Sequence, residues 1–344
     1  LFAEIGGRAK DYSDRTVTSI FIGGGTPSLL SGEQIGQLMD RIREQFAMAQ
    51  DAEITMEVNP GTASAEKLRN FYTAGINRLS IGMQSAQAEE LKNLGRIHDF
   101  EGFCQVYREA VEAGFTNINV DIMSGLPGQT LASYRDTLEK VLHLEPMPQH
   151  ISAYSLIVEE GTPFAAMAER GELPLPEEET ERAMYEETIE VLAKYGFHRY
   201  EISNYARDGY ECRHNVGYWI RRDYLGFGIG AASLIDNVRF QNEKSLGAYL
   251  AHPLESREEE QTLTVQDRME ETMFLGLRLT RGVSCVDFAE QYGRTVEEVY
   301  GEVIARNVAD GLLTVTERKE NQKKDRFLAL TKSCLLYTSD AADE

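Results

Sequence analysis

Apolar and polar positions alternate with a period of two in three short stretches of the first half of the chain. Over residues 53–59, Ile54, Met56 and Val58 share one face, and Thr55, Glu57 and Asn59 the other. Over 78–84, Leu79, Ile81 and Met83 oppose Ser80, Gly82 and Gln84. Over 117–122, Ile118, Val120 and Ile122 oppose Asn117, Asn119 and Asp121. Successive side chains of a strand point to opposite sides, so each stretch predicts a strand with one packed face and one polar face. Two runs rich in β-branched and aromatic residues, 17–22 and 150–157, predict two more strands. Helical periodicity predicts helices over 31–46, 64–74, 100–113 and 130–144. Ala74-Gly75 and Ala113-Gly114 offer left-handed C-caps, and Pro146 ends the last helix. Strand starts recur at roughly 30 residues, the length of a βα unit.

This rhythm predicts a parallel α/β domain. A doubly wound sheet buries both faces and shows continuous apolar runs. A closed eight-stranded barrel fills its interior with bulky branched residues. One apolar face and one small, polar face predict instead an open, partial parallel β/α barrel, with helices outside and a hydrated interior that accepts a polar ligand. Glu57, Gln84 and Asp121 lie near the C-terminal ends of their strands, where α/β folds bind ligands.

The strand at 17–22 stops on Gly23-Gly24-Gly25-Thr26-Pro27-Ser28. Three glycines leave a backbone without side chains and with access to positive φ. Such a loop serves either as a tight strand-to-helix turn or as a cradle in which a ligand lies against main-chain N–H groups. Polar strand faces that end at the same rim favour the cradle.

Past residue 160 the rhythm changes. Gly161-Thr162-Pro163 and the Pro174/Pro176 pair mark a loop-rich boundary. A helix is expected over 177–195, a strand over 200–205, a glycine-rich small-residue segment over 224–232, and an amphipathic helix over 267–279. Helix, helix and strand over 286–291, 296–307 and 312–315 predict a small winged-helix-like module. The expected organisation is residues 1–160 as the partial barrel, 161–263 as a linker with a glycine-rich α+β segment, and 264–332 as the C-terminal module. Residues 333–344 read as a non-native tail. Leu1 to Ile5 read as the middle of a helix, so the natural start is expected upstream.

At 344 residues the chain has room for about two domains. Its net charge of −21 argues against a nucleic-acid or anionic-membrane partner. The acidic runs at 177–187 and 255–260 read as solvated faces. No apolar run reaches the roughly 18 residues of a membrane span, and no signal peptide is evident. Cys104, Cys212, Cys285 and Cys334 are far apart and form no C-x-x-C pair, which fits a reducing, cytoplasmic setting.

Seven segments occur together in order. They are Ile22-Gly-Gly-Gly-Thr-Pro-Ser28, Met56-Glu-Val-Asn-Pro-Gly61, Asn77-Arg-Leu-Ser-Ile-Gly-Met-Gln84 and Leu94-Gly-Arg-Ile-His98, then Asp121-Ile-Met-Ser-Gly-Leu-Pro-Gly-Gln129, Arg199-Tyr-Glu-Ile-Ser-Asn-Tyr-Ala206 and His214-Asn-Val-Gly-Tyr-Trp219. From residue 1 to about 332 the chain thereby resembles the radical-SAM proteins related to oxygen-independent coproporphyrinogen-III oxidase, and most of all their haem-chaperone branch. The resemblance implies a radical-SAM partial barrel that lacks its first strand, followed by a smaller α+β C-terminal domain. It implies S-adenosylmethionine, a 4Fe–4S cluster and haem as cofactors. Haem or another porphyrin, and a haem-requiring acceptor protein such as a respiratory enzyme, are the implied partners. The implied function is haem chaperoning; the alternative is radical decarboxylation of coproporphyrinogen-III propionates, so whether the protein is an enzyme stays open.

By the same resemblance Gly24, Gly25 and Thr26 would cradle the methionine end of S-adenosylmethionine. Glu57 would serve as counter-charge or ribose acceptor, and Gln84, Arg96 and Asp121 would add polar contacts, Arg96 by pairing with the carboxylate. The alternatives are a solvated strand end for Glu57, against its inward phase, a cap on the 124–129 turn for Asp121 and, without the resemblance, a surface charge for Arg96. His214 would ligate haem iron beside Tyr218 and Trp219, or would be an ordinary structural histidine. Cys212 is a second candidate ligand, and Met83, Met123 and Met184 read as core. One departure stands out. The family's C-x-x-x-C-x-x-C cluster loop lies upstream of the position of Leu1, so the cluster is implied for the parent protein, with no metal ligand expected in these residues.

Overall fold

The structure, a computed structural model, describes residues 1–254, 257–320, 323–332, 334 and 335. Residues 333 and 336–344 of the expected tail, and 255–256 of the second acidic run, lie outside the described residues. The chain forms two compact units. One joins Ile20–Gly36 to Glu53–Glu211; the other joins Leu1–Ser19 and Gln37–Ala52 to the chain from Cys212 onward.

Along the chain, α1 (Phe2–Arg8) and β1 (Thr16–Ile22) precede α2 (Gly32–Gln45) and β2 (Ala47–Val58). Then follow α3 (Ala65–Thr73), β3 (Arg78–Gln84), α4 (Ala88–Asn93), α5 (Phe100–Ala113), β4 (Ile118–Ser124), α6 (Leu131–Leu142) and β5 (His150–Ser155). After α7 (Pro163–Glu169) and α8 (Glu178–Lys194) come the short strands β6 (His198–Arg199) and β7 (Asn204–Ala206). The seven strands form one sheet in the order β1-β2-β3-β4-β5-β7-β6. β2 to β5 run parallel, and β7 and β6 close the edge antiparallel. The sheet therefore continues past Gly161 to residue 206. This is a half-barrel sheet of largely parallel strands, and a smaller C-terminal part follows it in the chain.

Local chemistry explains the helices. Asp99 caps α5 by accepting from Gly102 N at 2.8 Å, and Gly114 ends it at φ 109°. Thr130 and Ser133 cap each other's backbone at the start of α6. On the outer face Met56, Leu79, Ile81, Met83, Val120 and Ile122 are buried, as are Phe71, Phe103 and Leu138 of the covering helices. Met184 is buried too, whereas Met123 is half-buried.

Two expectations need correction and one is extended. The strand expected over 200–205 is a hairpin: Tyr200–Ser203 turn between β6 and β7. Glu201 accepts from Ser203 N at 3.0 Å and from the Asn204 side chain, so local side-chain bonds fold the chain back. The polar strand faces, expected to line a hydrated interior, also hydrogen-bond to one another, as described below. Finally β2 starts at Ala47, directly after α2, rather than near residue 53.

In the second unit, α9 (Arg213–Trp219) is followed by β8 (Ala232–Ile235), β9 (Val238–Asn242), α10 (Leu246–Ala251) and β10 (Arg257–Thr262), which pair as an antiparallel sheet β10-β9-β8. The glycine-rich segment before β8 has no regular structure. It is tied down by buried Glu4 of α1, which accepts from Gly228 N at 3.0 Å, Tyr249 Oη at 2.5 Å and Asn242 Nδ2 at 2.7 Å. α11 (Val265–Gly276), β11 (Val283–Ser284), α12 (Cys285–Tyr292), α13 (Val296–Ala309), β12 (Leu313–Glu320) and β13 (Lys323–Leu330) give the helix–strand–helix–helix–hairpin order of a winged helix. Met269, Phe288, Val296 and Leu328 form its core. No described helix is long and apolar enough to cross a membrane.

Candidate functional site

β1 ends in the glycine loop at the C-terminal rim of the half-barrel. Gly24 and Gly25 adopt φ of 79° and 110°, a region that other residues enter only with strain. A Cβ on either would meet nothing within 4 Å, so open space lies over their backbone. Gly23 is different. A Cβ there would stand 2.9 Å from Glu57 Cδ and 2.8 Å from the Phe21 ring. The glycine lets the Glu57 carboxylate reach across and accept from Gly24 N at 3.2 Å. Pro27–Leu29 form a 3-10 turn, with Leu29 N bonded to Thr26 O at 3.0 Å, and the Thr26 hydroxyl bonds to no described residue. Ser28 fastens the loop to the end of β2 by accepting from Asn59 N at 3.0 Å.

Asp121 accepts from Ser80 Oγ at 3.1 Å and Asn119 Nδ2 at 2.7 Å. Burial pushes its carboxyl above the usual range, against those bonds, one from Ser152, and the field of Arg78. Burial also raises Glu57, the charge of Asp121 raises it further, and the Gly24 N–H opposes both. Two raised carboxyls thus lie within reach of each other's charge, Glu57 beside Gly24 and Asp121 held by Ser80 and Asn119. Like charges in a poorly hydrated site resist joint ionisation, and a cationic guest relieves both.

The pH dependence follows with a definite sign. A carboxyl raised in the folded state costs nothing below the unfolded pKa of about 4; its penalty grows as the pH rises from there and is complete once the pH has passed its folded value. In ligand-free protein, Glu57→Gln and Asp121→Asn are therefore expected to gain melting temperature over the parent as pH rises through that window. Thermal scans from acid to neutral pH would show it; a difference independent of pH would refute the assignment.

At the end of β3, Gly82 pairs with Asp121 but Gln84 with Ile122, so one residue bulges. Gln84 adopts φ 69° and its amide folds over Gly82. Arg96 lies half-buried in the loop after α4. The Gln84 amide and Arg96 guanidinium hydrogen-bond no described residue. The structure thus bonds Glu57 to Gly24, brings Asp121 close enough for its charge to act on Glu57, and sets Gln84 on β3 between their strands.

Sequence reasoning missed what lies beneath the rim. His150 Nδ1 meets Asn119 Oδ1 at 2.6 Å and its Nε2 meets Tyr200 Oη at 2.9 Å. Ser152 donates to Asn119 Oδ1 at 3.1 Å and Asn204 Oδ1 at 2.7 Å. Asn119 in turn donates to Ser80 at 2.7 Å. Burial drives His150 well below its ordinary value, so the ring is neutral. Arg78, 2% exposed, reaches only Thr55 Oγ1, at 3.5 Å. The period-two spacing of His150 and Ser152 in β5 was the available signal.

His214 belongs to the other unit. Its Nδ1 lies 3.0 Å from Ser19 Oγ and its Nε2 3.1 Å from Tyr218 Oη, one helical turn on. The His214, Tyr218 and Tyr224 rings stack edge to face, with centroids 5.0 and 4.7 Å apart. Tyr218 is 36% exposed. Trp219 lies under the Arg278 guanidinium, 4.6 Å from its ring centroid. Cys212 is wholly buried. Among the described residues no group of three or more His, Cys, Asp or Glu could hold a metal ion, and none of the four cysteines is in a disulfide, so the described residues do not fit an iron–sulfur cluster.

A parallel half-barrel with a polar rim, trailed by a winged-helix-like module, defines a class of protein, and the comparisons agree on it. Residues 2–141 match the Radical SAM superfamily, which implies S-adenosylmethionine and a 4Fe–4S cluster, and residues 263–319 match the HemN C-terminal domain. The fold is similar to that of coproporphyrinogen III oxidase (HemN) from Escherichia coli, described as a radical SAM enzyme. The TM-score is 0.81 over 98% of this chain and 80% of that one, at 26% identity. The heme chaperone HemW of Bacillus subtilis (strain 168) is 40% identical over 306 residues, 87% of this chain and 79% of that protein. HemW of Escherichia coli (strain K12) is 37% identical over 308 residues, 87% of this chain and 78% of that one. The chain belongs to the HemW heme chaperone family of radical SAM proteins.

Proposed function

We propose that this protein binds haem and hands it to a haem-requiring acceptor such as a respiratory enzyme, with an S-adenosylmethionine site on its half-barrel. The observation that carries this reading is the identity of 36–40% to relatives named heme chaperone, across most of the chain. Four free cysteines suit a reducing, cytoplasmic setting.

The open rim supports S-adenosylmethionine as its ligand. Gly24 and Gly25 leave room for the methionine end, and Thr26 offers a hydroxyl. Glu57 and Asp121, both above their ordinary pKa, supply negative charge for a sulfonium or ammonium. Gln84 and Arg96 carry uncommitted donors suited to a carboxylate. When bound to a cluster, S-adenosylmethionine supplies radical chemistry. The residues here bind and orient it.

His214 is proposed to contact haem. Its row of edge-packed rings, partly exposed at Tyr218, suits a flat porphyrin, and ligation through Nε2 would replace the Tyr218 bond. Titrating the whole chain with haemin tests both claims. Saturable binding with a shifted Soret band is expected, and His214→Ala should weaken it about tenfold. An unchanged band and affinity in the variant would remove His214; no binding by the parent would remove the chaperone reading. The likeness to HemN supports a second reading, coproporphyrinogen-III decarboxylation, which gains if haemin does not bind.

A further inference from the structure

Two of the proposed S-adenosylmethionine contacts, Gln84 and Arg96, sit where the chain leaves regular structure, at the end of β3 and just past α4. Gln84 is a non-glycine residue at positive φ. Arg96 follows Gly95, at φ 66°, in a loop between helices.

His98 joins the two segments. It is 8% exposed, and its Nε2 lies 3.3 Å from the Met83 carbonyl oxygen. A carbonyl only accepts, so Nε2 carries the hydrogen. The same carbonyl accepts from Ser85 N at 2.9 Å. Both acceptor positions of Met83 are thus filled, and the peptide that begins the bulge cannot rotate without breaking a bond. That peptide sets the backbone of Gln84. His98 Nδ1, by contrast, is buried with no hydrogen-bond partner. Burying a polar atom unpaired is unfavourable, and an apolar residue would fill this space at less cost. The histidine is accounted for by the one bond it makes. Burial and Arg96 hold its pKa below the ordinary value, so the ring stays neutral and keeps its single donor on Nε2.

Ile97, between Arg96 and His98, is 77% exposed and lies over the turn after β2. A Cβ at Gly61 would stand 2.6 Å from the Ile97 side chain. Arg96 N donates to Leu91 O at 2.9 Å at the end of α4, and two residues on, His98 fixes the segment to the end of β3.

We propose that His98 is a positioning residue: its bond to the Met83 carbonyl sets the Gln84 bulge and, through the short Arg96-Ile97-His98 segment, presents Arg96 at the same rim. This rests on the assignment of that rim to S-adenosylmethionine.

Calorimetric titration of the whole chain with S-adenosylmethionine tests it, independently of any turnover. His98→Leu keeps bulk and loses the donor; His98→Asn keeps polarity but is too short to reach Met83. Each is expected to weaken binding about tenfold, the effect of one hydrogen bond. His98→Gln places an amide nitrogen near the Nε2 position and should restore affinity to within about threefold. Phe103→Leu, a buried change on α5, should lower the melting temperature without moving affinity. Parent-like affinity in whichever of the Leu and Asn variants folds would overturn the proposal, as would equal weakening by Phe103→Leu at equal loss of stability. Glu57→Gln separates the two levels. If it weakens binding while the His98 variants do not, the rim stands and the positioning role falls. If it has no effect, the rim assignment falls and this proposal with it.

Discussion

Replacing Glu271 by alanine should cost the C-terminal unit about 3–5 kcal/mol of stability, the typical penalty for breaking a buried ion pair from one side. Glu271 of α11 accepts from Arg221 Nε at 2.7 Å and from Arg239 Nη2 at 2.6 Å. The side chains of Arg221 and Glu271 are only 4% and 7% exposed. Arg221 follows α9 at a positive φ of 57°, and its guanidinium also meets Asn237 Oδ1 at 3.3 Å in the β8–β9 turn. The carboxylate thus ties α9, α11 and the β8–β9 hairpin together. Without it a buried cation keeps one neutral acceptor. The only tryptophan, Trp219, lies at the end of α9 and reports on this unit, so urea unfolding followed by its fluorescence gives the measurement. A loss below about 1 kcal/mol would mean the pair is as dispensable as an exposed one. The double change Arg221→Leu with Glu271→Leu should recover much of the loss, because apolar replacements of similar size leave no charge unpaired.

Gly23→Ala is expected to leave the fold intact and damage the rim. The new methyl would lie 2.8–3.0 Å from the Phe21 ring and the Glu57 carboxyl, both ends of side chains that can move aside. Moving Glu57 breaks its bond to Gly24 N and removes the charge from the mouth of the cradle. A hydrogen bond to a charged group contributes about 1.5–3 kcal/mol, so affinity for S-adenosylmethionine should fall roughly 10- to 100-fold with little change in melting temperature. Gly36→Ala on α2 is the control, since a Cβ there meets nothing within 4 Å. It should leave affinity alone and gain up to about 1 kcal/mol of helix stability. Equal affinity in the Gly23 variant and the parent would show that Glu57 does not hold the ligand.

Much of the half-barrel was legible because its signals are local. The helix expected over 100–113 is α5 to the residue, since Asp99 and Gly114 mark its ends chemically. The strands at 78 and 118 were legible from their period-two pattern, and the one at 150 from its β-branched and aromatic run. The hairpin at 198–206 was not. Its Tyr200–Tyr205 composition favours a strand, and the reversal depends on Glu201 bonding to Ser203 and Asn204, which composition does not record. The antiparallel sheet β10-β9-β8 was missed because its strands are short and β10 is almost wholly charged, with no apolar alternation to read.

The sequence by itself determined on which face of each strand the candidate residues stand, because side-chain alternation in a strand is a property of the local backbone. Glu57, Gln84 and Asp121 were placed on the polar side that way. Tertiary structure alone decided what those polar faces do. It set Glu57 against Gly24, joined Asn119, His150, Ser152 and Asn204 into one network, and put His98 on the Met83 carbonyl. Each of these contacts joins residues distant in sequence. Their partners are chosen by strand order and register, and no local pattern encodes those.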